Sequence, residues 1–101
     1  MKITNIENFI VDAGWRPWGF VKVETDEGIT GWGECSDGRS PNGVAGTIED
    51  LKPVLIGTDP REFEMRFWDM FRATRQSPGG IAAKALAGLD CAFIDIKAKS
   101  L

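Results

Sequence analysis

The sequence contains no histidine and no tyrosine. Without histidine there is no Ser-His-Asp or Cys-His nucleophile pair, no imidazole base and no imidazole metal ligand. Cysteine occurs only at Cys35 and Cys91, too few for a zinc site of their own. These two thiols could join in a disulfide. Met1-Lys2-Ile3 runs at once into Asn5, Glu7 and Asn8, so no apolar leader is read there, and free thiols in a reducing compartment are the expectation. No apolar run approaches the roughly 18–20 residues that cross a bilayer. The charge balance is 12 Lys+Arg against 15 Asp+Glu, a net −3. That balance leaves no basic footprint for nucleic acid or an anionic membrane surface. A cytoplasmic protein without nucleic-acid or membrane partners is therefore expected.

What is present is an ordinary globular composition: 101 residues, 43% hydrophobic and 27% charged. That length suits one domain with one modest core, and the composition excludes collagen-like, disordered and coiled-coil classes. The first third reads as strands. Met1–Val11 is extended in character, with imperfect alternation that implies a bulge. Phe20–Thr25 alternates, with Val21 and Val23 on one side and Lys22 and Glu24 on the other. Asp26-Glu27-Gly28 is a short loop, and Ile29–Cys35 is a return strand weakened by Gly31 and Gly33. The prediction is a three-stranded antiparallel meander.

Two irregular segments interrupt this pattern, Asp12–Gly19 and Ser36–Gly43. In an antiparallel meander both connections leave from the same end, so they are expected to be neighbours in space. The remainder reads as helices, making the fold class α+β: a meander followed by a helical bundle. Val44, Ile48, Leu51 and Leu55 follow helical spacing, with Pro53 expected to stop or kink the helix at Lys52. Asp59-Pro60-Arg61-Glu62 reads as a helix start capped by Asp59. Phe63, Phe67, Met70 and Phe71 form the expected buried stripe, with Glu62 and Arg66 paired outside. After Ser77-Pro78-Gly79-Gly80, a third helix carries Ala82, Leu86, Leu89, Phe93 and Ile96 inward, with Asp95 and Lys99 paired four apart. That helix runs to Leu101 without a glycine cap or a proline stop, as expected of a piece of a longer polypeptide.

Chemistry-bearing groups are few. Gly31-Trp32-Gly33-Glu34 and Gly43-Val44-Ala45-Gly46 match neither phosphate-binding fingerprint, and tight packing is the simpler reading. Glu34 and Asp37 flank the second connection, where surface or capping roles compete with acid–base work. Asp90 and Asp95 lie five apart and do not share a helix face. Trp15, Arg16 and Trp18 combine apolar walls with a guanidinium fork suited to a carboxylate or several hydroxyls. Closing the end of the core is the competing role for each indole. Arg39 is a lesser candidate of the same kind, and Cys35 reads as packing.

The stretch Ala85-Leu86-Ala87-Gly88-Leu89-Asp90-Cys91-Ala92-Phe93-Ile94-Asp95-Ile96-Lys97-Ala98-Lys99 resembles the N-terminal signature of the mandelate racemase/muconate lactonizing enzyme group of the enolase superfamily. Met1–Thr4, Val21–Glu34 and Leu55–Pro60 resemble that family too, so the likeness spans essentially the whole chain. Phe93 and Ile94 depart from its more common leucine and tryptophan, both by apolar exchange. The resemblance implies an N-terminal capping domain over residues 1–101, with a catalytic barrel that this chain does not contain. It implies a parent that removes a proton next to a carboxylate with the help of Mg²⁺, none of it held by this segment. An acid-sugar dehydratase is the favoured parent; a racemase or cycloisomerase is the alternative. The isolated chain is then expected to be non-catalytic, and it is expected to form homo-oligomers. The two connections would close over the barrel mouth and touch the small-molecule carboxylate substrate through Trp15, Arg16, Trp18, Asp37 and Arg39. A stand-alone, non-enzymatic binding or oligomerisation module is the reading from a different class.

Overall fold

A computed structural model describes all residues from Met1 to Leu101. Strands β1 (Ile3–Asp12), β2 (Pro17–Thr25) and β3 (Thr30–Glu34) precede helices α1 (Pro41–Leu55), α2 (Phe63–Ala73) and α3 (Gly80–Ser100). The sheet is antiparallel throughout, in the order β1-β2-β3. The irregularity anticipated in the first strand is a register shift between Ile3 and Asn5. It lets Ile3 and Ile6 both face the core, where a strict two-residue period would separate them. The β2–β3 turn closes through Gly28 N–H to the Thr25 carbonyl at 3.3 Å, with Gly28 at φ +77°.

The helices cover one face of the sheet. Ile3, Ile6, Val21 and Val23 from the strands, with Cys35 just past β3, meet Val44, Ile48, Leu51, Leu55, Met70, Leu89, Phe93 and Ile96 from the helices. The closest approach is between α3 and β3, where small residues replace side chains. A Cβ on Gly31 would stand 2.1 Å from the Ala92 carbonyl oxygen, and one on Gly33 would stand 1.9 Å from that of Gly88. The glycines read above as weakening the strand are thus what lets the helix backbone lie on it. Asp95 secures the same contact by accepting the Trp32 N–H at 3.0 Å and pairing with Lys99 at 3.0 Å. Lys99 in turn donates to the Thr30 carbonyl at 2.7 Å.

Several expectations are corrected. Helix α1 does not stop at Lys52 but runs through Pro53 and ends two residues later, at Leu55; the ring lies on the exposed side, where water can serve the carbonyl that loses its donor. Helix α2 begins at Phe63, not at Pro60. Asp59 ties the preceding turn instead, accepting the Arg61 N–H at 2.9 Å and its guanidinium at 2.8 Å. Arg66 is buried, donating to Asp69 at 3.0 Å and to the Asp59 carbonyl at 3.1 Å, and it does not pair with Glu62 outside. That rotation of α2 leaves Phe71 exposed, beside Trp68 at a ring distance of 5.6 Å. Trp18 belongs to β2 and not to the connection before it. No helix is long and apolar enough to cross a membrane.

Candidate functional site

The β1–β2 and β3–α1 connections meet at one end of the sheet. The first is a tight turn: Ala13 N–H donates to the Arg16 carbonyl at 3.1 Å, and Gly14 N–H, at φ +91°, donates to Asp12 Oδ1 at 2.8 Å. Gly19 joins the two connections. Its carbonyl accepts the Cys35 N–H at 2.9 Å, and its N–H donates to Ser36 Oγ at 3.0 Å. The Ser36 hydroxyl donates onward to Glu34 Oε2 at 2.7 Å. Arg16 Nη2 stands 3.8 Å from that same oxygen, beyond hydrogen-bond range. Arg16 Nε is buried without any hydrogen-bond partner, and the guanidinium carbon lies 5.0 Å from the Trp15 ring centroid. Arg16 therefore holds donors that the chain itself does not satisfy.

The second connection is built around Asp37. Its Oδ1 accepts the N–H groups of Arg39 and Ser40 at 2.9 and 2.8 Å, and Oδ2 accepts Lys84 Nζ at 2.8 Å. The Lys84 ammonium, helped by those two N–H groups, holds the Asp37 carboxyl well below the usual carboxylate range. A depression of about 260 Å³ lies between the connections and α3, lined by Arg16, Glu34, Cys35, Ser36, Lys84 and Ala87.

Of the five substrate-contact candidates, Arg16 lines this depression. Trp15 stands out from the turn, 76% exposed. Trp18 pairs in register with Val11, on the face of the sheet opposite Val21, edge-on to Phe20 at 6.3 Å. Asp37 spends its carboxylate on Lys84 and the loop backbone. Arg39 is exposed, with its backbone N–H engaged. Lys84 and Ser36 also line the depression, though neither stands out as a site residue in the sequence. Lys84 reaches Asp37 across 47 positions, and its place on α3 reads as one more solvated lysine. Ser36 lay inside a run of turn residues that carried no chemical signal of its own.

The arrangement supplies donors and rings, not a poised acid or base. Asp37 is held as carboxylate, and burial, followed by the Glu34 charge, pushes the Cys35 thiol up to about 11. No three acidic or thiol side chains converge into a set of ligands, so Mg²⁺ does not fit the donor groups of this segment. A larger groove of about 460 Å³ beneath the α2–α3 turn, lined in part by Asp50, Arg72 and Arg75, shares no residue with either connection.

The family described as "Mandelate racemase / muconate lactonizing enzyme, N-terminal domain" matches residues 12–101. The chain is 41% identical over 102 residues to D-galactonate dehydratase of Ralstonia pickettii, covering 100% of this chain and 26% of that protein. It is similar, with TM-score 0.91 and 37% identity, to a Burkholderia xenovorans protein provisionally assigned as an L-alanine-DL-glutamate epimerase and solved with magnesium and fumarate. That match covers 98% of this chain and 25% of the other. The 3,6-anhydro-D-galactonate cycloisomerase of Zobellia galactanivorans is similar with TM-score 0.92 at 27% identity, over 99% of this chain and 29% of the other. The chain thus spans about a quarter of the length of the curated relatives it matches.

Proposed function

The chain belongs to the mandelate racemase/muconate lactonizing enzyme family as its N-terminal domain, and on that premise we propose that it is the capping domain of an acid-sugar dehydratase. Residues 1–101 form the cap, and the reacting groups belong to a barrel outside them. The observation that carries this reading is Arg16. Its guanidinium sits where the two connections meet, with a buried N–H unsatisfied and its acidic neighbour 3.8 Å away. The Nη groups of Arg16, which lines the depression, make no hydrogen bond within the chain either, and these are the donors that substrate oxygens would engage.

In this reading Arg16 and the Trp15 ring hold the hydroxylated end of a sugar acid, remote from the carboxylate. Asp37 does its work at one remove. By fixing Lys84 and the Ser36–Ser40 backbone it sets the shape of the depression. Arg39 and Trp18 approach substrate only from the rim. Closing such a surface over a barrel mouth orients the substrate and excludes water, effects worth several kcal/mol of barrier. The proton next to the carboxylate is removed by groups outside this chain, and Mg²⁺ is held outside it as well. Dehydration is favoured because the curated relatives are D-galactonate dehydratases. The epimerase and cycloisomerase neighbours support a second reading, an isomerase parent using the same cap.

The test is turnover of a panel of sugar acids by residues 1–101 alone and by a polypeptide joining them to a family barrel. The short chain is expected to be inactive and the longer one to dehydrate a sugar acid. Turnover by the short chain overturns the capping role. A longer chain that only epimerises or cycloisomerises overturns the dehydratase assignment.

A further inference from the structure

Strand β1 spans 10 residues and forms one edge of the sheet. Edge strands are normally short, or carry lysine, proline or a bulge, because their free N–H and C=O groups recruit other strands. Strand β1 contains neither lysine nor proline, and its bulge is confined to Ile3/Asn5. The edge is covered only near its start. There Ile3 N–H donates to the Thr58 carbonyl at 2.8 Å, and the Ile3 carbonyl accepts the Gly57 N–H at 2.9 Å.

The far end of the edge is open. Gly19 spends both its main-chain groups on the β3 side, on Ser36 and Cys35. Ile10 faces Gly19 in the register, so its own N–H and C=O point away from β2, out along the free edge. Alternation places those of Asn8 and Asp12 there too. Phe9, Ile10 and Val11 are 38%, 43% and 48% exposed in succession. Ile10 shares the inward face of Ile6, which is fully buried, so the helical layer stops short of this end.

We propose that a second copy of this chain adds its β1 to this edge, antiparallel about a twofold axis at Ile10, to make one continuous sheet. In that register Ile10 meets Ile10 of the second copy, Phe9 meets Val11, and Asn8 meets Asp12. Apolar residues face apolar ones and no like charges oppose each other. A twofold at Asn8 sets Phe9 against Glu7 and pushes the pairing toward the Gly57–Thr58 cover. The Phe9–Val11 pairs are aromatic on β-branched, a favourable cross-strand combination, and an isologous contact makes each of them twice. This inference does not rest on the capping role.

Sedimentation velocity on the 101-residue chain is expected to show a reversible monomer–dimer equilibrium. Val11→Lys, at an exposed position, is expected to raise its Kd by about tenfold or more. A cross-link tests the register. Residues opposed across a bonded pair lie about 5.5 Å apart between Cα atoms, within disulfide reach. With Cys35→Ala and Cys91→Ser as background, which leaves no native thiol beside position 8, Ile10→Cys is expected to give an oxidised dimer, and Asn8→Cys to stay unlinked. A chain that remains monomeric at all concentrations overturns the proposal. So does a dimer indifferent to Val11→Lys, or linkage at Asn8→Cys in place of Ile10→Cys.

Discussion

Gly33→Ala tests the contact on which the whole domain is assembled. The added Cβ would lie 1.9 Å from the Gly88 carbonyl oxygen and 2.8 Å from its carbonyl carbon. Both are helix backbone, so no side chain can turn aside. Relief requires α3 to lift from β3 by roughly 1 Å, and a gap of that size forfeits a quarter to a half of each contact it opens. The side chains that lose contact include Leu89, Ala92 and Phe93, all fully buried. Alanine offsets only about 0.5–1 kcal/mol through the unfolded chain. The net loss is expected to be about 3 kcal/mol, at the upper end of overpacking costs, lowering Tm by roughly 15 °C for a domain of this size. Urea unfolding followed by circular dichroism measures it. Gly46→Ala is the control: nothing lies within 4 Å of its Cβ position in α1, so it is expected to stabilise by about 0.5–1 kcal/mol. A Gly33→Ala variant within about 1 kcal/mol of the parent refutes the close-approach reasoning.

The other predictions concern charge and thiols. Asp37, Asp59 and Asp95 are all held below the ordinary carboxylate range, first by Lys84, Arg61 and Lys99 respectively. Depressed acids contribute stability that is complete above about pH 4 and lost as pH falls further. Thermal unfolding between about pH 5 and 2 is expected to show that fall, made shallower by Asp37→Asn; an unchanged profile in the variant counts against the Lys84 contact. Arg66→Met, which leaves the Asp69 carboxylate without its buried partner, is expected to cost about 2 kcal/mol in chemical denaturation. Thiol titration at pH 8 is expected to find Cys91 fast and Cys35 protected until unfolding, since one is exposed and the other buried with its thiol pushed up to about 11.

Much of this architecture is legible in the residues because it depends on local period. The alternation of Val21 and Val23 and the spacing of Val44, Ile48, Leu51 and Leu55 reappear as buried faces. The meeting of the two connections follows from antiparallel topology alone, and Gly19 realises it through Ser36 and Cys35. Most of the misreadings are tertiary. Pro53 takes one hydrogen bond from α1, yet the helix carries on for two more residues to bring Leu55 into the core. Arg66 looks like a surface partner of Glu62 until the fold brings the Asp59 carbonyl and Asp69 against it. The role of Asp37 depends on Lys84, which only a folded chain brings near.

Selection of substrate by residues 13–16 and 35–40 is tested most directly by a specificity ratio. In a polypeptide carrying residues 1–101 ahead of a family barrel, kcat/KM is measured for a six-carbon sugar acid and for a short hydroxy acid that cannot reach the cap. Arg16→Ala is expected to lower the ratio of the two by about tenfold or more, the worth of one lost charged hydrogen bond, with the short acid unaffected. A ratio that stays at its original value contradicts the cap's role in recognising substrate.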